Sequence, residues 1–266
     1  MENFNGIYIL LIIVVIALTA RNIIQIAKIK HVSSFSKVYS KILKREPDAY
    51  EEIKKYVEEE KDDSIKNKAR LLLIYEMMMN NEDPMNVVED TNLGSLFKAK
   101  GAFNSKAVSN NSDAFVWLAL VFAKARALSM FDVIENLTNK VTEYNEQLDN
   151  RVEYRLFKGL CSSLAERNDD DSAFLQKLLN GDYADMTYDQ KLIGLYKRIA
   201  SAYLIYMGDT VDEYFENDLH SFAQTSVGHC LMTDLEIIDK YPPLKEVENT
   251  VPTSEEVKEE TKEQDK

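Results

Sequence analysis

The chain opens on an unbroken apolar run: Phe4 to Ala20 holds no charged side chain, and Ile7 to Leu18 is almost wholly Ile, Leu and Val. Beyond it the pattern turns amphipathic. Apolar residues recurring every three to four positions predict helices over 33–45, 48–60, 63–79 and 84–89. A second group follows over 113–127, 131–146 and 151–167, then a short helix after Asp169-Asp170-Asp171-Ser172, then 188–207, 211–222 and 227–239. Punctuation agrees with these limits. Pro47 separates the first two helices, Asp62-Asp63-Ser64 caps the third, and Asp209 or Thr210 caps the helix beginning at Val211. Asn80-Asn81, Asn180-Gly181, Gly208 and Pro242-Pro243 are stops. Strand-like alternation is nearly missing, and the whole chain has only five Pro and eight Gly. The fold class this implies is all-α.

Residues 91–111 interrupt the periodicity. Gly94, Gly101, Asn104, Ser105, Ser109, Asn110 and Asn111 are turn and cap residues, so the segment is expected to be a loop, with a short helix near Leu96 to Lys100. Its Lys98, Lys100 and Lys106 stand beside no phosphate-binding glycine motif. After Pro242-Pro243 the composition is Glu, Lys, Thr and Val with no aromatic residue, too little apolar area to offset ordering entropy.

The opening run is read as a membrane span. A bilayer core of about 30 Å needs roughly 20 helical residues, and the apolar face continues past Arg21 through Ile23, Ile24, Ile26, Ala27 and Ile29. A cleaved signal peptide would carry a basic start and a small residue three before the cut; here the start is Met-Glu-Asn and Leu18 holds that place. Arg21, Lys28, Lys30, Lys37, Lys41, Lys44 and Arg45 follow with no acid before Glu46. Basic flanks stay on the cytoplasmic side, which places the N-terminus outside and the rest in the cytoplasm of a single-pass protein.

Charge is segregated. Residues 1–45 carry +6, residues 46–241 carry −15 and residues 242–266 carry −4, giving the chain's −13. An acidic body excludes nucleic acid as a main ligand. Cys161 and Cys230 are too few for a disulfide framework and lie in apolar helical stretches, so both are expected as buried thiols. His31, His220 and His229 match no zinc spacing, and HExxH, Gly-x-Ser-x-Gly and Gly-x-Gly-x-x-Gly are missing. Asp169 to Asp171 suit a helix cap and its dipole better than a cation. No catalytic residue, cofactor or metal is therefore expected.

Long helices beginning near Asp113, Arg151 and Tyr188 give a repeat of about 38 residues, the signature of stacked helical hairpins. Small residues (Ala119, Ala123, Gly159, Ser163, Ala200, Ala202) permit close helix approach. Over 113–222 the chain resembles tetratricopeptide-type α-solenoids, with Phe157-Lys158-Gly159-Leu160-Cys161 approximating part of that family's core motif. The closing Pro of that family is missing between these pairs, and a plain helical bundle is the alternative. The resemblance implies a protein-binding groove.

The expected organisation is an anchor with interfacial extension (1–30), a first helical segment (31–90), a loop (91–111), a tetratricopeptide-like helical segment (112–241) and a disordered acidic tail (242–266). The tyrosines gathered in the last third, Tyr196, Tyr203, Tyr206 and Tyr214, form the candidate interaction surface. The expected function is a membrane-anchored cytoplasmic scaffold that recruits another protein through its helices. An accessory subunit acting through the span, or a membrane-associated enzyme without a recognisable motif, are the alternatives.

Overall fold

The computed structural model describes residues 34–164 and 169–242, with side chains for 34–161 and 173–242. The elements in order are α1 (34–43), α2 (Ala49–Glu59), α3 (Asp63–Met79), α4 (Met85–Asp90) and α5 (Gly94–Phe97). A hairpin of β1 (Lys98–Ala99) and β2 (Ala102–Phe103) follows, then α6 (Ser105–Asn110), α7 (Ala114–Ala127), α8 (Phe131–Thr142) and α9 (Asn145–Leu148). The chain continues with α10 (Val152–Leu164), α11 (Asp169–Asn180), α12 (Ile193–Tyr206), α13 (Glu213–Gln224) and α14 (Ser226–Asp234). The all-α expectation is met. The predicted span at 4–20 and the tail beyond Pro242 lie outside the described residues. Among the described residues, no helix is long and apolar enough to cross a membrane.

Local chemistry sets the helix ends. Asp62 accepts the Ile65 amide at 3.0 Å, Asn104 accepts those of Lys106 and Ala107, and Thr225 accepts that of Gly228 at 3.0 Å. Asp212, two residues after the expected Thr210, caps α13 by accepting the Tyr214 amide. Six helices close with one device. The amides of Glu46, Glu82, Met130, Asp182, Asp209 and Ile237 each donate to the carbonyl five residues back. The residue before each amide sits at positive φ: Arg45, Asn81, Ser129, Gly181, Gly208 and Glu236.

The first helices of successive pairs run side by side in one direction. Ser64 bonds to Asn111 and Lys68 to Asp113 near the starts of α3 and α7, while Tyr75 and Lys124, further along both, reach the same Asp234. On α10, Phe157 lies against Phe115 and Phe122 of α7. From α12, Tyr196 donates to the Ser112 carbonyl at 3.0 Å and Tyr203, two turns on, to the Ala119 carbonyl at 2.9 Å. Tyr39 of α1 meets the Trp117 ring edge-on at 4.4 Å.

Helix α7 is thus the post of the assembly, packed by α3, α8, α10 and α14 and reached by α1 and α12. Eleven of its 14 residues are buried. Each large side chain such as Phe115, Leu118 or Phe122 contributes about 1.5–3 kcal/mol by leaving water. Ala119, Ala123 and Ala125, all buried, let the neighbouring helices close in.

The 91–111 segment is more structured than a plain loop. Leu96 and Phe97 belong to α5, and Lys98 pairs with Phe103 across the hairpin, whose two-residue tip is Lys100-Gly101. Both tip residues have positive φ, the geometry that matches strand twist. The predicted helix over 131–146 breaks at Tyr144, whose ring turns inward against Phe97 at 5.2 Å.

Candidate functional site

The residues singled out in the sequence fall in different places. Arg21, Lys28 and Lys30 lie outside the described residues, and Lys37 is exposed on α1. Tyr196 and Tyr203 do not belong to a surface: both are 0 % exposed, facing α7 from α12. Their hydroxyls are held by backbone carbonyls, and burial pushes both phenols well above their usual range. Tyr206 is half-buried. Tyr214 is 73 % exposed and sits edge-on to Phe215 on α13. Tyrosine enrichment thus split by helix face, since α12 turns its stripe inward and α13 turns Tyr214 out.

Two polar clusters occupy the interior. In the first, Asp234 accepts from Tyr75 at 2.9 Å and from Lys124 at 3.2 Å, joining α3, α7 and α14. Cys230, one turn earlier, lies 4.0 Å from the Leu43 carbonyl of α1. Burial raises this thiol, so it holds its proton and is a weak nucleophile. Glu76 of α3 is buried near Arg45; desolvation lifts its carboxyl to about 7, and the guanidinium offsets part of the rise. Together these groups fasten the end of α1 to the body. Cys161, the second thiol, is half-buried on α10 and meets the Thr138 hydroxyl at 3.3 Å.

The second cluster lies at the opposite end of α7. Glu153, 0 % exposed, accepts from the Asp189 amide at 2.8 Å and from Arg151 at 3.3 Å. Arg151 also reaches Ser109, and Ser112 donates to Asp189 at 2.9 Å. Glu153 Oε2 and Arg151 Nε make no hydrogen bond among the described residues. Backbone bonds between Asn150, Val152 and Thr187 draw the loop after α11 onto the start of α10. This is a structural tie between four segments.

The surface offers a different kind of site. Helices α8 and α10 leave a groove of about 290 Å³ lined by Phe131, Ile134, Glu135, Thr138, Asn139 and Cys161. Phe131 is 46 % exposed and Leu128, on the turn entering α8, is 38 % exposed. The Arg126 guanidinium lies 5.2 Å from the Phe131 ring centre and holds it at the groove mouth. Large apolar side chains exposed beside a concavity are what a docking surface presents. In the sequence Phe131 falls in step with Ile134, Leu137 and Val141, the spacing of a core stripe. It heads its helix, beyond the reach of the next layer, and only three-dimensional packing reveals that.

Among the described residues, no group of three or more His, Cys, Asp or Glu side chains is placed to hold a metal ion. No family model matches this chain, and neither a curated protein nor a solved structure matches it.

Proposed function

We propose that this chain is a membrane-anchored scaffold. Residues 4–20 span the bilayer with the N-terminus outside, and the cytoplasmic helical stack, built on the tetratricopeptide-like plan, recruits another protein through the groove between α8 and α10. The observation that carries this reading is the exposed Phe131 ring lining that groove. Buried aromatic anchors supply much of the energy of protein interfaces, and Phe131 is already ordered by Arg126. The −15 of residues 46–241 favours a partner segment that pairs an apolar side chain with basic neighbours.

In-cell crosslinking of tagged full-length protein, with captured proteins identified by mass spectrometry, tests the proposal against two variants. A partner seen with the full chain and with a form lacking residues 1–22, but lost on Phe131→Asp, supports it. A partner retained by Phe131→Asp would remove the groove from the mechanism. A partner lost only with residues 1–22 would shift recognition to the span.

A further inference from the structure

The hairpin at Lys98–Phe103 is set apart from the rest of the surface by charge and by shape. No Asp or Glu occurs between Asp90 and Asp113, and the interval carries Lys98, Lys100 and Lys106 inside a body of net −15. Residues 98–102 are all exposed, as are Asn104, Ser105 and Lys106. Among the described residues, none of the three lysines forms an ion pair. The protrusion is firmly rooted. The Asn104 amide bonds the Phe97 carbonyl at 2.9 Å, buried Phe97 lies against Phe115, and Lys98 rests over the Tyr144 ring. Its tip is the tight Lys100-Gly101 turn.

Its place in the fold gives the charge a direction. Asn111 bonds both the Leu96 carbonyl, just before the hairpin, and Ser64 at the start of α3. One turn along α3, Lys68 pairs with Asp113 and lies over the ring of Phe35. Phe35 is the second described residue of α1, so the hairpin springs from the end of the stack at which the chain continues towards residues 1–33. At that end Asp62 caps α3, Asp113 pairs with Lys68 and Asp189 accepts from Ser112, while Glu58 and Asp63, at the junction of α2 and α3, are exposed.

We propose that this hairpin is a lipid-contacting foot: Lys98, Lys100 and Lys106 rest on the anionic headgroups of the leaflet from which the chain emerges. The proposal rests on the reading of residues 4–20 as a span. The acidic body is repelled by such a surface, so a cationic contact at the anchored end fixes which face of the stack turns to the membrane. It directs the groove mouth at Phe131, near the far end of α7, away from the bilayer. Each lysine close to an anionic surface strengthens the contact about fivefold, an effect screened within a Debye length of about 10 Å at 0.1 M salt.

The test uses full-length protein carrying Ala102→Cys, with Cys161→Ala to leave only the buried Cys230 thiol, and an environment-sensitive dye at residue 102. It is reconstituted in nanodiscs of phosphatidylcholine, or of phosphatidylcholine and phosphatidylglycerol, each with a headgroup-level quencher. The expected result is quenching that is several-fold stronger with phosphatidylglycerol, abolished by K98E/K100E/K106E and reversed by 1 M salt. The helix content and melting temperature of the triple variant should be unchanged, because the three side chains are exposed. Insertion with equal quenching in both lipids overturns the foot and leaves the span intact. Failure of the chain to enter nanodiscs overturns the span, and the foot with it.

Discussion

Glu76 makes the stability of this protein depend on pH in an unusual sense. Its carboxyl sits 8 % exposed on α3 and is raised from 4.5 to about 7, burial being the larger influence and Arg45 the smaller, opposing one. A buried acid whose folded value lies above its unfolded value binds more protons in the native state across that window. Its contribution is therefore fully present below about 4.5 and is lost as pH rises through about 7. The interval corresponds to about 3 kcal/mol, and solvent reaching the rim of the site lowers this to about 2 kcal/mol. Glu76→Gln keeps the shape and removes the ionisation. Full-length protein in mild detergent can be unfolded with urea at pH 5 and pH 8.5, following the fluorescence of Trp117, the single tryptophan. The variant should exceed the parent by under about 1 kcal/mol near pH 5 and by about 2 kcal/mol at pH 8.5. A variant less stable than the parent at pH 8.5 would refute the reasoning, because the Glu76–Arg45 attraction would then outweigh burial.

Three further outcomes can be measured the same way. Asp234→Ala strands Lys124 and Tyr75 and should cost about 3 kcal/mol, with much of the loss restored when Lys124→Met is added. Gly228→Ala should cost about 1–3 kcal/mol, since a Cβ there would lie 2.0 Å from the Phe222 carbonyl oxygen, whereas Gly194→Ala on α12, with nothing within 4 Å, should be neutral or stabilise by about 0.5 kcal/mol. Tyr203→Phe should cost about 1 kcal/mol through its lost bond to Ala119, while Tyr214→Ala should leave the melting temperature within about 2 °C of the parent.

Helical periodicity was legible because it is a property of short windows. Leu71 to Tyr75, Phe115 to Ala123 and Ile199 to Leu204 are all buried in the core. Helix ends were legible where a residue type announces them: Asn81, Gly181 and Gly208 adopt the left-handed conformation those residues tolerate. Arg45, Ser129 and Glu236 perform the same task without that signature, so the end of α14 was expected five residues too far on, at Asp239. Asp212 outcompeted Thr210 as a cap by one local hydrogen bond, a difference below what composition resolves. The tyrosines of α12 were misplaced for a further reason. Whether a tyrosine faces in or out depends on a carbonyl 84 residues away, and α7 carries no mark that Ser112 and Ala119 will accept from Tyr196 and Tyr203. The groove at Phe131 was hidden likewise, because its walls come from two helices that only folding brings together.

The central position of α7 has a consequence for how the protein is made. The helix is finished at Ala127, but two of the helices that cover it, α12 and α14, end at Tyr206 and Asp234. At a synthesis rate of roughly 5 to 20 residues per second, Leu120, Phe122 and their neighbours wait roughly 5 to 20 seconds for their last cover. During that interval the nascent chain displays α7, the most apolar of the described helices, without its full cover. A ribosome stalled between α10 and α12 would leave a product with an open flank, prone to aggregate and an early target for proteolysis. For this chain, quality control in the cell therefore turns on whether the last hundred residues arrive.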